Sequence, residues 1–171
     1  MIREATTHDA DACLAVYAPY VTDTVISFEA EPPGTTEMAR RIAGAHTWLV
    51  LEDQGRVAGF AYAHRFAERA AYRWSCETTI YLEQGRRRTG AGRALYETLL
   101  ERVRQRGYHR AFAGVTLPND ASTGLHRALG FEPAGVYRRV GWKHGAWRDV
   151  AWFQKDLCAT EGCTCVPAEL T

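Results

Sequence analysis

Arg86-Arg87-Arg88-Thr89-Gly90-Ala91-Gly92-Arg93 opens the strongest helical pattern in the chain, and its reading decides the fold. From Gly90 to Arg106, Leu95, Leu99 and Val103 recur at four-residue spacing on one helical face, and Gly107 ends the run. A helix start presents unpaired N–H groups and the positive end of its dipole. Glycines there let a phosphate approach the backbone, and arginines add charge, so a pyrophosphate is the natural ligand. The stretch is neither a G-x-G-x-x-G dinucleotide fingerprint nor a P-loop. Taken alone, it is equally a tight turn with solvated arginines.

Working outward, Tyr72 to Leu82 reads as a long strand rich in Thr, Ile, Tyr and Trp. Before it, 48–52 and 56–64 form a hairpin around Asp53-Gln54-Gly55. Ile2 to Ala5 is a first strand, and Thr6 or Thr7 caps a helix over about 8–19. Pro32, Pro33 and Gly34 break the chain before a short helix from Thr35 or Thr36 to about Ala43. Downstream come a strand over 111–117 and a helix from Asn119 or Asp120 that Gly130 ends. Two strands, 138–143 and 147–157, close around Lys143-His144-Gly145. Strands mixed with helices and no linker predict one α/β domain over 1–157, with 158–171 as a flexible tail.

Composition agrees. The 171 residues are 46% hydrophobic and 24% charged, as in an ordinary single-domain globular protein. A net charge of +1 points to neither nucleic acid nor an acidic membrane surface as the main partner. No apolar run approaches the ~20 residues that span a bilayer, and Met1-Ile2-Arg3-Glu4 does not begin a signal peptide, so a cytoplasmic protein is expected. The five cysteines form no even disulfide framework. Cys158, Cys163 and Cys165 follow C-x4-C-x-C, which is not a zinc spacing, so no metal is expected.

Arg87-x-x-Gly90-x-Gly92 and the later Asn119-x-x-Ser122-x-x-Leu125-His126-x-x-Leu129-Gly130-Phe131 resemble the two signature segments of the GNAT acetyltransferase superfamily. Within it, Ser27-Phe28-Glu29, Tyr72-Arg73-Trp74-x-x-Glu77, Leu117-Pro118-Asn119 and Gly141-x-Lys143-x-Gly145-x-Trp147-x-Asp149-Val150 are similar to the phosphinothricin N-acetyltransferase branch. The resemblance covers about residues 1–157. It implies an α+β GNAT fold: a mixed, mostly antiparallel central sheet with helices on both faces. It also implies acetyl-coenzyme A as co-substrate and a homodimer. Gln84 and Gly85 stand where the branch usually has proline and an acidic residue, and Arg88 where it usually has glycine.

Acetyl transfer from a thioester to an amine needs a deprotonated amine, donors for the developing oxyanion and a proton for the leaving thiolate. Direct attack in a ternary complex is the simplest scheme. Glu77, in an otherwise uncharged strand segment, is the candidate base, because partial desolvation raises a carboxylate pKa. His126 is the candidate proton donor and Tyr137 a second. The resemblance implies backbone contacts to the cofactor arm from Ile80, Tyr81 and Leu82, a pyrophosphate loop of Arg87, Arg88, Thr89, Gly90, Ala91, Gly92 and Arg93, and a side-chain contact from Asn119. For a small amine acceptor of anionic amino-acid type, the candidates are Phe28, Tyr72, Arg73 and Thr78, with Trp74 as apolar surface and Lys143 as added charge. Methionine sulfone or sulfoximine is the alternative acceptor. A non-catalytic acyl-coenzyme A-binding protein and a nucleic-acid patch at Arg86-Arg87-Arg88 are the readings from other classes.

Overall fold

The computed structural model describes residues 1–85, 90–158 and 170. Arg86, Arg87, Arg88, Thr89, Cys163 and Cys165 lie outside them. The elements are β1 (Ile2–Glu4), α1 (Ala10–Thr22), α2 (Thr35–Gly44), β2 (Thr47–Asp53), β3 (Arg56–Arg65), β4 (Ser75–Leu82), α3 (Ala91–Gln105), β5 (Arg110–Thr116), α4 (Asp120–Ala128), β6 (Glu132–Lys143) and β7 (Ala146–Asp156).

Alternation along β2 sorts the core into two layers. Trp48 and Val50 pack with Phe60 against α1 and α2, while Leu49 and Leu51 face the other way, into the layer built on α3. In α3, Leu95, Tyr96, Leu99 and Val103 are all 0% exposed, so the stripe read in the sequence is the centre of that layer. Burying each such side chain stabilises by about 1.5–3 kcal/mol. The strands form one seven-stranded sheet in the order β1-β2-β3-β4-β5-β7-β6, with every neighbouring pair antiparallel except β4 and β5. The β2–β3 hairpin turns on Gln54 and Gly55, both left-handed at φ 49° and 77°, the geometry a two-residue hairpin loop favours.

Several boundaries differ from the sequence reading, the first being α1, expected to about 19 but running through Pro19 to Thr22. The strand expected from Tyr72 starts at Ser75, because 70–72 coil into a 3-10 turn with Arg73 N–H donating to Ala70 C=O. The helix at 35–44 is capped by the backbone of Gly34 instead of a threonine side chain. β6 begins at Glu132, well before 138. Pro133, Gly135 and a left-handed Arg139 look like loop signals, but they mark bulges within a paired strand.

Candidate active site

The feature that makes a site is the early end of the β4–β5 ladder. The two strands pair only at Ser75↔Arg110, Cys76↔Ala111 and Glu77↔Phe112. Beyond Glu77 they diverge, and among the described residues Thr78 to Leu82 have no partner strand on that side. A cleft of about 630 Å³ opens on the α3–α4 side, walled by Ile80, Tyr81, Leu82, Asn119, Ser122 and Leu125. A second cavity of about 580 Å³ opens on the α1 side, and Glu77, Thr79 and Tyr81 form part of its wall. A narrow gap between the diverging strands shares Ile26 and Tyr81 with both, so the two cavities approach each other there.

The α3 side is built for a ligand with an extended arm and a charged end. Gly85 and Gly90 flank residues 86–89 with left-handed backbones, φ 85° and 73°, and a Cβ on either would meet open space. Gly92, the second residue of α3, packs so closely that a Cβ there would stand 2.6 Å from Leu82 Cδ1. Asn119 sits in the cleft wall and also caps α4, its side-chain oxygen accepting from Ser122 N–H at 3.1 Å. Arg93 points elsewhere: its Nε bonds Glu97 at 2.8 Å on the exposed face of α3. Ala91 packs against the core.

On the α1 side, burial pushes the Glu77 carboxyl above the ordinary carboxylate range, opposed by its cross-strand neighbour His64. No Lys or Arg is among the described residues lining this cavity. One wall is the segment 26–29. Phe28 reaches the cavity and covers Gly141 so closely that a side chain there would collide with its ring. Glu29 is held by Arg41 at 2.6 Å and accepts from the Tyr17 hydroxyl at 3.0 Å. Lys143 fastens the same segment. Its ammonium donates to the carbonyls of Val21 (2.6 Å), Ser27 (2.7 Å) and Glu29 (3.1 Å). The charge expected from Lys143 in the pocket is therefore spent on backbone.

His126 lies in the wall of the gap but is 3% exposed. Its Nδ1–H donates to Ser122 C=O at 2.8 Å, which leaves Nε2 to accept from the Tyr96 hydroxyl at 3.0 Å. Burial lowers its pKa, so it is neutral near pH 7 with both ring nitrogens engaged. As placed, both nitrogens of the expected proton donor are engaged within the protein. Thr78, expected at the acceptor, lies on the opposite face of β4 from Glu77. It faces the α3 side, 2% exposed, with Oγ1 2.8 Å from Tyr96 and 3.1 Å from Phe112 C=O, away from the cavity that holds Glu77.

Tyr72 and Arg73 also stay outside that cavity. Tyr72 is half-exposed with its ring edge-on to Phe66, and the Arg73 guanidinium lies 3.9 Å over the Trp74 ring. Tyr137, on β6, stands at the cavity rim and is 58% exposed. At the C-terminal end of the sheet, Cys158 Sγ is 3.2 Å from His109 Nδ1. Among the described residues no group of three metal-ligating side chains forms.

The acetyltransferase (GNAT) domain matches residues 2–152. The chain belongs to the GNAT acetyltransferase family. A phosphinothricin N-acetyltransferase from Streptomyces viridochromogenes is 38% identical over 159 residues, covering 91% of this chain and 87% of that protein. An L-methionine sulfoximine/L-methionine sulfone acetyltransferase from Pseudomonas aeruginosa is 34% identical, covering 93% and 95%. The crystal structure of a GNAT superfamily phosphinothricin acetyltransferase from Sinorhizobium meliloti in complex with acetyl-coenzyme A superposes with a TM-score of 0.92 at 36% identity, covering 99% of this chain and 93% of that one.

As a GNAT enzyme the chain is an acetyl-coenzyme A-dependent N-acetyltransferase. The diverging strands and the left-handed glycines before α3 suit that co-substrate. No helix among the described residues is long and apolar enough to cross a membrane. Several site features escape a reading of the sequence. Lys143 looks like a pocket cation until the fold brings three carbonyls around it. Tyr96 and Trp152 look like core aromatics. The one available signal was alternation: Phe112 and Gly114 interleave with the buried Ala111, Ala113 and Val115, marking a second face.

Proposed function

We propose that this enzyme acetylates the α-amine of a small amino acid of the phosphinothricin or methionine sulfone and sulfoximine type, with Glu77 as the general base. One observation carries the reading: a carboxylate with a raised pKa stands in a cavity that approaches the cofactor cleft where the β4–β5 ladder ends. The amine arrives as an ammonium and must lose a proton before it can attack. The Glu77 carboxylate accepts that proton, directly or through one water, and its raised basicity suits it to do so near neutral pH. When bound, acetyl-coenzyme A supplies an activated thioester, so no cysteine of this chain has to act as a nucleophile. The backbone of Ile80, Tyr81 and Leu82 and the side chain of Asn119 hold the thioester arm. Gly90, Ala91 and Gly92 offer helix N–H groups to the diphosphate. Backbone N–H donors fixed beside the reacting carbonyl stabilise developing negative charge. Phe28 covers the acceptor.

We read residues 1–157 as one catalytic domain, supported by a family match over 2–152 and a last strand ending at Asp156. We further read the enzyme as a cytoplasmic homodimer. The exposed apolar side chains Val136, Val140, Trp142 and Trp147 on the β6–β7 hairpin favour a covered surface there. The deciding experiment is a turnover screen that measures thiol release with phosphinothricin, methionine sulfone, methionine sulfoximine and ordinary amino acids. Glu77→Gln should lower kcat by about 10²–10⁴-fold while leaving acetyl-coenzyme A affinity intact. Full activity of that variant at neutral pH would remove Glu77 from the mechanism.

A further inference from the structure

Beyond the acceptor cavity lies a smaller apolar annex of about 320 Å³, lined by Phe66, Phe112, Ala134, Gly135, Tyr137 and Trp152. It shares the walls of Tyr137 and Trp152 with the acceptor cavity, so the two lie side by side. Its position follows from register. Phe112 is the last cross-strand partner of Glu77, and neighbours in register share a face. On the same face, Trp152 pairs with Gly114 on one side and Gly135 on the other. The annex therefore begins one strand away from the base. Its walls are ordered: Phe66 stacks on Phe112 with centroids 4.2 Å apart, and Tyr137 tilts against Trp152 at 5.8 Å.

We propose that this annex receives the end of the acceptor's side chain and selects amino acids ending in an uncharged alkyl or aryl group over those ending in a carboxylate. The proposal rests on the acceptor reading above and names the class of side chain it admits. Three observations carry it. No acidic, basic or histidine side chain lines the annex among the described residues, so a terminal carboxylate would lose its water without gaining a counter-ion. The volume exceeds what a single methyl needs, so longer apolar ends fit as well. The Trp152 Nε1–H is buried with no hydrogen-bond partner among the described residues. A buried donor of that kind calls for an acceptor atom. An oxygen on the sulfur or phosphorus that precedes the apolar end would supply one.

Methionine sulfoximine and buthionine sulfoximine share a head group and differ only in a methyl or butyl end, so they isolate the annex. Each buried methylene is worth about threefold to fourfold in kcat/KM, so the butyl compound should exceed the methyl one by on the order of tenfold or more. Glutamate, of similar length but ending in a carboxylate, should fall at least ~10²-fold below the methyl compound. Gly135→Ile should fill the annex, since its backbone is not left-handed and a Cβ there meets nothing within 4 Å. It should cut the butyl-to-methyl ratio about tenfold while acetyl-coenzyme A affinity, read by calorimetry, reports an intact fold. Ala134→Leu serves the same purpose if the isoleucine variant does not fold. The proposal is overturned if the butyl compound is the poorer acceptor in the parent enzyme, or if both filling variants slow the two compounds equally. It is also overturned if the variants change only sedimentation, which would make the annex a surface between copies. If no amino acid is acetylated at all, the acceptor reading itself fails. If all are acetylated without regard to side-chain end, only the annex fails.

Discussion

Replacing Lys143 with methionine should loosen the wall of the acceptor cavity without touching its chemistry. The ammonium holds three carbonyls at 2.6, 2.7 and 3.1 Å, on α1 and on the 26–29 segment that brings Phe28 and Glu29 to the cavity. A hydrogen bond to a charged group is worth about 1.5–3 kcal/mol. Three of them set a ceiling that is not reached, because one donor is shared and water can rehydrate half-buried carbonyls. A net loss of about 2 kcal/mol is reasonable, which corresponds to a shift of roughly 30-fold in the population of the ordered segment. The acceptor KM should therefore rise by about 10- to 30-fold, with acetyl-coenzyme A affinity changed by less than about twofold. Lys143→Arg should recover only part, since a planar fork does not reproduce a tetrahedral donor aimed at three oxygens. Steady-state kinetics at saturating acetyl-coenzyme A gives the KM, and amide exchange over 24–30 reports the segment directly. A KM within twofold of the parent, together with unaltered exchange there, would refute the reasoning. Burial lowers the pKa of this ammonium, so the clamp should also weaken at a lower pH than an exposed lysine would titrate.

Other residues give sharper readouts of the fold and the base. In the mechanism proposed above the Glu77 carboxylate is the active form, and with its pKa raised kcat/KM should fall, as pH drops, at a pH above the ~4.3 of a free glutamate. That acid limb should vanish in the glutamine variant; a limb that persists would belong to another group. Gly92→Ala places a Cβ 2.6 Å from Leu82 Cδ1 and should drive that side chain into the cofactor cleft. The expected cost is about 1–3 kcal/mol in urea unfolding with a several-fold weaker acetyl-coenzyme A Kd, and unchanged values would show that α3 shifts freely. Arg3 pairs with Asp9 at 2.7 Å and lowers its pKa to about 2. A depressed carboxylate pKa adds stability above the unfolded value and loses it as pH falls from about 4 to about 2. Asp9→Asn should therefore cost up to ~2.5 kcal/mol at pH 7 and little near pH 2, measured by denaturant melts at the two pH values.

Much of this architecture is legible in the chain, and the reasons are local. The α3 stripe at Leu95, Leu99 and Val103 is amphipathic over four turns, and Gln54-Gly55 is a turn that two left-handed residues favour. Both signals survive without tertiary context. β6 was only half visible because Pro133 and Gly135 are breakers anywhere except at a bulge on an edge strand. Glu77 stood out as the one charge in its strand segment. The face of Thr78 did not, since a one-residue step reverses a strand side chain and nothing local tells which side holds the acceptor. Arg73 illustrates the same limit: an arginine near a base suggests an anion site, yet here it stacks on its own neighbour.

The crotch where β4 parts from β5 is closed by side chains. One position past the last ladder pair, the Thr78 hydroxyl meets the Phe112 carbonyl, and through Tyr96 and His126 the same chain of contacts ties α3 to α4. Three replaceable side chains, Thr78, Tyr96 and His126, thus brace the fork. A lineage could widen or narrow its slot for bulkier thioesters by single substitutions at the pivot, leaving strand order, helix packing and the base itself in place.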